Sequence, residues 1–491
     1  MEQEQIKDFT KGPILGPLLA FSMPILLALF LQALYGAVDL LVVGKYALAQ
    51  DVSGVAVGSQ IMQTVTGLVS SFAMGTTVLL GQKIGAGKRE EGGQIIGTSV
   101  VMFFLVGALL TALIPLLSGA LAGAMNAPVE AFDETKRYIA ICGFGSVMIV
   151  AYNVLGSIMR GLGDSRTPLM TVAIASVCNI AGDLLLVAGL HMGAAGAAVA
   201  TVASQTVSVL ISLLVLSRRT LPFSFSKKDI RVDKPIMRRI VRFGTPIALQ
   251  DLLVGLSFLV ILAIVNALGL IASAGVGVAE KVCAFIMLIP AAFMQAMSAY
   301  VAQNHGAGKN ERAERGLKIA ILVSTAFGAV MFWAAFFHGD LLCGIFARDQ
   351  DVIAAGFDYL RAYGIDCLLT CFLFCFIGFF NGLGETGFVM VQGIAAAFLI
   401  RIPVAWWMSR ATGRLFYIGL GETGFVMVQG IAAAFLIRIP VAWWMSRATG
   451  RLFYIGLGVP CATVVQIIAC FVFYAHIRKK EELMRHAETT L

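Results

Sequence analysis

Two short motifs recur at one common spacing and divide the chain into two related halves. The motif QKIGAGK at 82–88 returns as QNHGAGK at 303–309. GLGDS begins at Gly161 and its counterpart GLGET begins at Gly382, so both motifs are displaced by the same number of residues. Long apolar runs flank both copies. The spacing therefore predicts a duplicated bundle of membrane helices, a plan found in many secondary transporters.

Thirteen apolar runs are long enough to cross a bilayer as a helix, which takes about 20 residues. They lie at 14–43, 53–81, 93–122, 139–159, 167–191, 194–217, 240–268, 272–302, 319–337, 357–381, 387–409, 424–446 and 456–477. The chain is 59% hydrophobic and 13% charged, so lipid is its expected solvent. The polar start does not resemble a cleavable signal peptide, and the first helix is expected to remain as a membrane anchor.

Basic residues collect in every second loop, at 83–89, 160–166, 218–239 and 309–318. By the positive-inside rule, these loops and the N-terminus face the cytoplasm. The net charge of +8 is therefore a topology signal. Nucleic-acid binding is not expected, because no basic helix or stacking platform accompanies the charge.

The polar stretch 218–239 is interpreted as a cytoplasmic linker between an N-lobe (1–217) and a C-lobe (240–491). A parallel repeat requires the same orientation for both lobes, and six helices in each satisfy this. The expected fold class is an all-α integral membrane protein with two six-helix lobes related by a parallel internal repeat.

The C-lobe contains an exact tandem duplication of 37 residues, 382–418 repeated as 419–455. Without one copy the chain has twelve spans, and its basic C-terminus lies on the cytoplasmic side. If both copies crossed, the chain would have thirteen spans and its basic C-terminus would lie on the outer side, against the positive-inside rule. We therefore predict that one copy lies peripherally or forms an extra helix outside a twelve-helix core.

Four polar side chains of the N-lobe are expected at one depth in the outer half of the membrane. Asp39 lies near the end of the first helix, and Asp183 follows Asn179 by one turn in the fifth. Thr201 lies near the start of the sixth. Buried carboxyls that repel each other can hold a proton, and the same oxygens could coordinate Na⁺. The structural alternative is that Asp39 caps a helix end and Asp183 bonds a neighbour. Intramembrane charge is costly and no Lys or Arg is placed to pair with them, which favours ion coupling.

Three acids of the C-lobe carry a weaker signal. Asp251, Glu280 and Asp366 lie in apolar runs and could contact substrate or serve as buried structural groups. Pro24 interrupts the first helix and Pro246 the first helix of the C-lobe. A proline inside a helix removes a backbone hydrogen bond and invites a kink. We assign helix bending to Pro24, because it shares its helix with Asp39.

Several chemistries are not supported by the sequence. Cys367, Cys371 and Cys375 share one helical face but lack the further ligands that a metal site needs. GAGK occurs twice without the spacing of a nucleotide-binding loop and is interpreted as a tight turn between helices. No nucleophile–base pair is visible. We expect no enzymatic activity, no cofactor, and no metal beyond Na⁺ at Asp39 and Asp183.

These residues resemble the multidrug and toxic compound extrusion (MATE) family, on its bacterial branch. The resemblance rests on SMPILLALFLQALYGAVDLLVVGKY, GQKIGAGK, IMRGLGDSRTPL and NIAGDLLLVAGLHMGAAGAAVAT. It implies export of cationic or amphiphilic compounds in exchange for H⁺ or Na⁺ from a bacterial inner membrane. It also places Asp39, Asn179, Asp183 and Thr201 at the N-lobe ion site of the family. Asp251 and Asp366 each fall about one turn from a matching position.

The expected mechanism is alternating access by a monomer embedded in lipid, with small-molecule substrates. The nearest alternative is a flippase for a lipid-linked precursor on a related fold. Its cavity would need Arg or Lys for phosphate, whereas the N-lobe interior offers acids. A membrane-embedded enzyme and a receptor or scaffold are further alternatives, which an ethidium efflux assay would distinguish.

Overall fold

The regular structure of the chain is helical throughout the part that the computed structural model describes. That part comprises residues 8–218, 223, 225–266 and 270–396, with isolated positions at 398, 402, 406, 474 and 475. The helices of the first half are α1 (Leu15–Tyr46), α2 (Ala49–Gly85), α3 (Arg89–Ala124), α4 (Phe132–Phe144), α5 (Ser146–Gly161), α6 (Arg166–Asp183) and α7 (Gly193–Arg218). The later helices are α8 (Lys234–Asn266), α9 (Leu270–Ile286), α10 (Leu288–Gly306), α11 (Asn310–Phe337), α12 (Gly339–Gly344), α13 (Gln350–Leu383) and α14 (Thr386–Ala396).

Eight helices in this part of the chain are long and apolar enough to cross a membrane, or nine if one bent pair counts as a span. The predicted class, an all-α membrane protein, is confirmed. The bent pair corrects one detail: the run 139–159 was expected to be a single helix. The chain instead turns by 57° between α4 and α5, at Gly145. The twelve-helix count stays a prediction, since most of the duplicated segment and the basic C-terminus lie outside the described residues.

The repeated motifs adopt matching backbone conformations. Gly87 and Gly308 both have φ of +70°, a left-handed conformation that glycine adopts without strain. Each ends a helix, with the amide of the next lysine bonded back to the carbonyl of Lys83 or Asn304. Tight turns predicted at both GAGK motifs are therefore confirmed.

The chain divides into two compact units. The first comprises the described residues up to Leu252 together with Ala291–Ala320 and Gly378–Gly387. The second comprises Leu253–Pro290, Ile321–Ile377 and the described residues from Phe388 onward. In the first unit α6 packs against α1 and α7, and α2 packs against α4 and α5. In the second unit α9 packs against α12. The predicted lobe boundary at 218–239 stays a prediction.

Candidate functional site

The four polar side chains predicted from the N-lobe lie together where α1, α6 and α7 meet. Asp183 and Asn179 are 0% and 1% exposed, and Asp39 is 5% exposed. Thr201 Oγ1 donates a hydrogen bond of 3.5 Å to Asp39 Oδ2. The Asp39 carboxyl also faces Asp183 and Asn179. All four side chains belong to the first compact unit. We call this group the acid cluster.

Local helix geometry explains how α6 contributes two members. Asn179 and Asp183 are four residues apart, so they project from the same face one turn apart. The regular α-helix ends at Asp183, and the chain continues as a π-helical segment, Leu184–Gly189. Such segments are rare and are frequently found at functional sites. The start of α7 is rich in small buried residues, including Ala197 and Ala198, which allows close packing against its neighbours.

Cationic partners are missing around the acid cluster, as far as the described residues go. The ion pairs Lys11–Asp8, Lys83–Glu91 and Arg137–Glu134 include no member of the cluster. Both oxygens of Asp183 and Oδ1 of Asp39 are buried without a hydrogen-bond donor in this part of the chain. Two ionised carboxylates can only accept hydrogen bonds, so neither can satisfy the other. A proton on one of them, or a small cation between them, would remove the cost of burying unpaired charge.

Sequence reasoning missed three side chains near the cluster. Tyr35 lies close to Asp39 and to the amide of Gln205. Tyr138, on α4, lies close to Asp39 and Thr201. Two of the three were recoverable from the sequence: Tyr35 precedes Asp39 by one turn on α1, and Gln205 follows Thr201 by one turn on α7. Tyr138 could not be found in this way, because α4 contributes no predicted site residue.

The other predicted residues do not join the acid cluster. Pro24 lies inside α1, which is helical on both sides of it. Asp251 belongs to the first unit, where its carboxylate accepts a hydrogen bond from the hydroxyl of Ser71 on α2. Glu280 on α9 and the buried Asp366 on α13 belong to the second unit. A substrate-contacting role for these three acids stays a prediction.

An internal repeat of membrane helices and a buried pair of carboxyls are typical of multi-pass membrane transporters. The MatE family model matches residues 24–185 and again residues 246–407. The chain therefore belongs to the MatE family, whose members are transporters. The two matched segments coincide with the duplication predicted from the repeated motifs, and the resemblance stated above is confirmed.

Curated relatives cover most of the chain. It is 25% identical over 408 residues to the probable multidrug resistance protein YoeA of Bacillus subtilis, covering 80% of this chain and 86% of that one. It is 29% identical over 407 residues to the probable multidrug resistance protein YpnP of the same organism, covering 82% and 88%. The probable multidrug resistance protein NorM of Thermotoga maritima is 26% identical over 414 residues, covering 84% and 88%.

Solved structures support the same fold. A transporter of the MOP superfamily from Pyrococcus furiosus superposes with a TM-score of 0.83 at 18% identity, covering 97% of this chain and 100% of that chain. An outward-facing multidrug resistance transporter of the MATE family gives a TM-score of 0.81 at 20% identity, covering 90% and 98%.

Proposed function

We propose that this chain is a cation-coupled multidrug efflux antiporter of a bacterial cytoplasmic membrane. It exports cationic or amphiphilic compounds in exchange for H⁺ or Na⁺, acts as a monomer and keeps its N-terminus in the cytoplasm. The relatives named as multidrug resistance proteins support the substrate class. The observation that carries the coupling is the pair Asp39 and Asp183, buried without a cationic partner among the described residues.

Exchange follows if the ion and the drug favour different conformations, because a ligand shifts an equilibrium only through its differential affinity for the two states. An ion bound at Asp39 acts directly on α1. The same helix contains Pro24, whose ring removes one backbone hydrogen bond. A bend at Pro24 would carry a change at the acid cluster into the rest of the transport path.

A symmetric pair of contacts supports alternating access. Gln82 Nε2 donates to the carbonyl of Gly382 at 2.9 Å. Gln303 Nε2 donates to the carbonyl of Gly161 at 3.3 Å. Each contact joins the glutamine of one motif copy to the GLG sequence of the other half, all within the first compact unit. We call these two contacts the glutamine gate. They close the end of the helices that the charge rule places in the cytoplasm.

A second contact at the same end holds the start of the chain. The guanidinium of Arg312 donates to the carbonyls of Phe9, Lys11, Gly12 and Pro13. The Phe9 ring is buried, with its centroid 5.0 Å from that of Phe21 and 5.6 Å from that of Tyr300. This N-terminal strap, residues 9–13, fixes the beginning of α1 to the start of α11.

The proposal is tested by ethidium efflux in everted vesicles with an imposed pH or Na⁺ gradient. The wild-type chain is expected to move ethidium only when one of these gradients is present. Asp183→Asn should abolish gradient-driven movement, because the amide cannot be protonated and carries no charge to balance Na⁺. The matched control is Asp133→Asn, an exposed acid in the first turn of α4. Equal gradient-driven efflux by wild type and Asp183→Asn would refute the coupling role.

A further inference from the structure

A cavity in the first compact unit contains a cationic side chain that the antiport mechanism does not use. The cavity lies among α1, α5, α6 and neighbouring helices. Arg160 lines it. The sequence pattern placed Arg160 in a loop, but it lies in the last turn of α5. The helix continues to Gly161, beyond the end of the apolar run.

The guanidinium of Arg160 has few partners among the described residues. Its Nη2 donates to Ser157 Oγ at 2.9 Å. A guanidinium carries five N–H donors, and this side chain is half-buried, so donors remain for a ligand that enters the cavity. No Asp or Glu appears among the residues that line the cavity. Asp164, the nearest acid along the sequence, accepts hydrogen bonds from the amides of Arg166 and Thr167 and does not line it.

The remaining lining supplies further hydrogen-bond donors and an apolar wall. Gln32 Nε2 donates to the hydroxyl oxygen of Tyr152 at 2.6 Å, which leaves the hydroxyl proton of Tyr152 for an acceptor. Ile25, Leu29 and Met159 line the same cavity. Arg160 precedes Gly161 at the end of α5, and no carboxylate of the lining faces its charge. An oxyanion that enters the cavity would supply the missing partner.

We propose that the Arg160 cavity binds an amphiphile that carries a carboxylate or phosphate group. The oxyanion accepts hydrogen bonds from Arg160 and Tyr152, and the apolar part of the ligand packs on Ile25, Leu29 and Met159. Arginine suits such a group, since its planar fork matches two oxygens of a carboxylate or phosphate. This site is separate from the acid cluster and has the opposite charge preference, so the inference goes beyond the proposed efflux function.

Calorimetric titration of the purified full-length chain in nanodiscs tests the proposal without any transport step. The probes are decyl phosphate, sodium decanoate, decanol and inorganic phosphate alone. Wild type is expected to bind decyl phosphate and decanoate at least tenfold more tightly than decanol. Arg160→Gln should lose this preference while still binding decanol, which shows that the cavity is intact. Arg160→Lys should retain part of this preference for anionic probes, because lysine keeps the positive charge but lacks the planar guanidinium.

Arg166→Gln is the matched control, since Arg166 is a nearby basic residue that does not line the cavity. It should bind decyl phosphate within twofold of wild type. Tight binding of inorganic phosphate alone would support an oxyanion site that serves a free ion. An anionic lipid that copurifies with wild type and is lost in Arg160→Gln, observed by native mass spectrometry, would support a lipid source. Equal decyl phosphate affinity in wild type and Arg160→Gln, or equal affinity of wild type for decanol and decyl phosphate, would overturn the proposal.

Discussion

The hydrogen bonds of the glutamine gate are expected to set how easily the proposed cytoplasmic end opens. Replacing Gln82 and Gln303 with alanine removes one hydrogen bond to Gly382 and one to Gly161. Gln303 has a second role, because its Oε1 accepts a hydrogen bond of 3.3 Å from the amide of Phe9. Gln303→Ala should therefore open the gate more than Gln82→Ala, although the two positions are equivalent in the repeat.

The size of the effect follows from the bonds removed. A hydrogen bond contributes about 0.5–1.5 kcal/mol net, and the two carbonyls lie in the last turns of α5 and α13, where water can reach them once the gate opens. The double variant removes three such bonds, the two of the gate and the one from Phe9, and should therefore favour the open form by about 1.5–4.5 kcal/mol. Because about 1.4 kcal/mol is a factor of ten, that corresponds to a roughly 10- to 2000-fold change in the equilibrium between the closed and open forms.

Cysteine labelling measures this equilibrium. Ser298 on α10 is fully buried beside the gate, and a side chain on Gly382 would contact its carbonyl oxygen. Labelling of Ser298→Cys by a soluble maleimide, after subtraction of the labelling of the unsubstituted chain, should accelerate in proportion to the open population. Gln60→Ala, an exposed glutamine on α2, is the matched control. A labelling rate in the double variant within twofold of that control would refute the gate.

Three further outcomes are expected. Gly85→Leu should keep the gate open and Ser298→Cys permanently labelled, because a side chain at Gly85 collides with the backbone of Gln303; slow labelling would contradict this. Arg312→Gln should release the N-terminal strap and raise amide hydrogen exchange at residues 9–12 by about tenfold or more, as charged hydrogen bonds contribute about 1.5–3 kcal/mol each; unchanged protection would contradict it. Pro24→Ala should raise the melting temperature, since proline inside a helix costs about 3 kcal/mol, and slow gradient-driven ethidium efflux; unchanged efflux would remove Pro24 from the mechanism.

Features of the chain that depend on local pattern were predictable from sequence. Membrane helices follow from the length of the apolar runs, and the tight turns at Gly87 and Gly308 follow from glycine just past a helix end. The acid cluster could be predicted because Asn179 and Asp183 share a helical face and Asp39 falls at the same depth.

Other features depend on tertiary contacts or on where a helix ends. Hydropathy does not record direction, so the turn at Gly145 inside an apolar run was missed. The apolar run ends at residue 159, so hydropathy assigns Arg160 to a loop, whereas α5 continues to Gly161. The glutamine gate could not be predicted from sequence. Both motif copies begin with glutamine, but only the fold shows that each glutamine contacts the GLG sequence of the other half.

Helix α1 connects the features of the first unit. Its beginning is held by the N-terminal strap, Pro24 follows, Gln32 lines the Arg160 cavity and Asp39 belongs to the acid cluster. Gln32 and Asp39 are about two turns apart, or roughly 10 Å along the helix. If an ion at Asp39 bends α1 beyond Pro24, the bend also moves Gln32 and so changes the affinity of the cavity for its ligand. By reciprocity, the ligand then changes the affinity of the acid cluster for the ion by the same factor. The cation and oxyanion sites would then be linked through one helix, with no need for contact between their ligands.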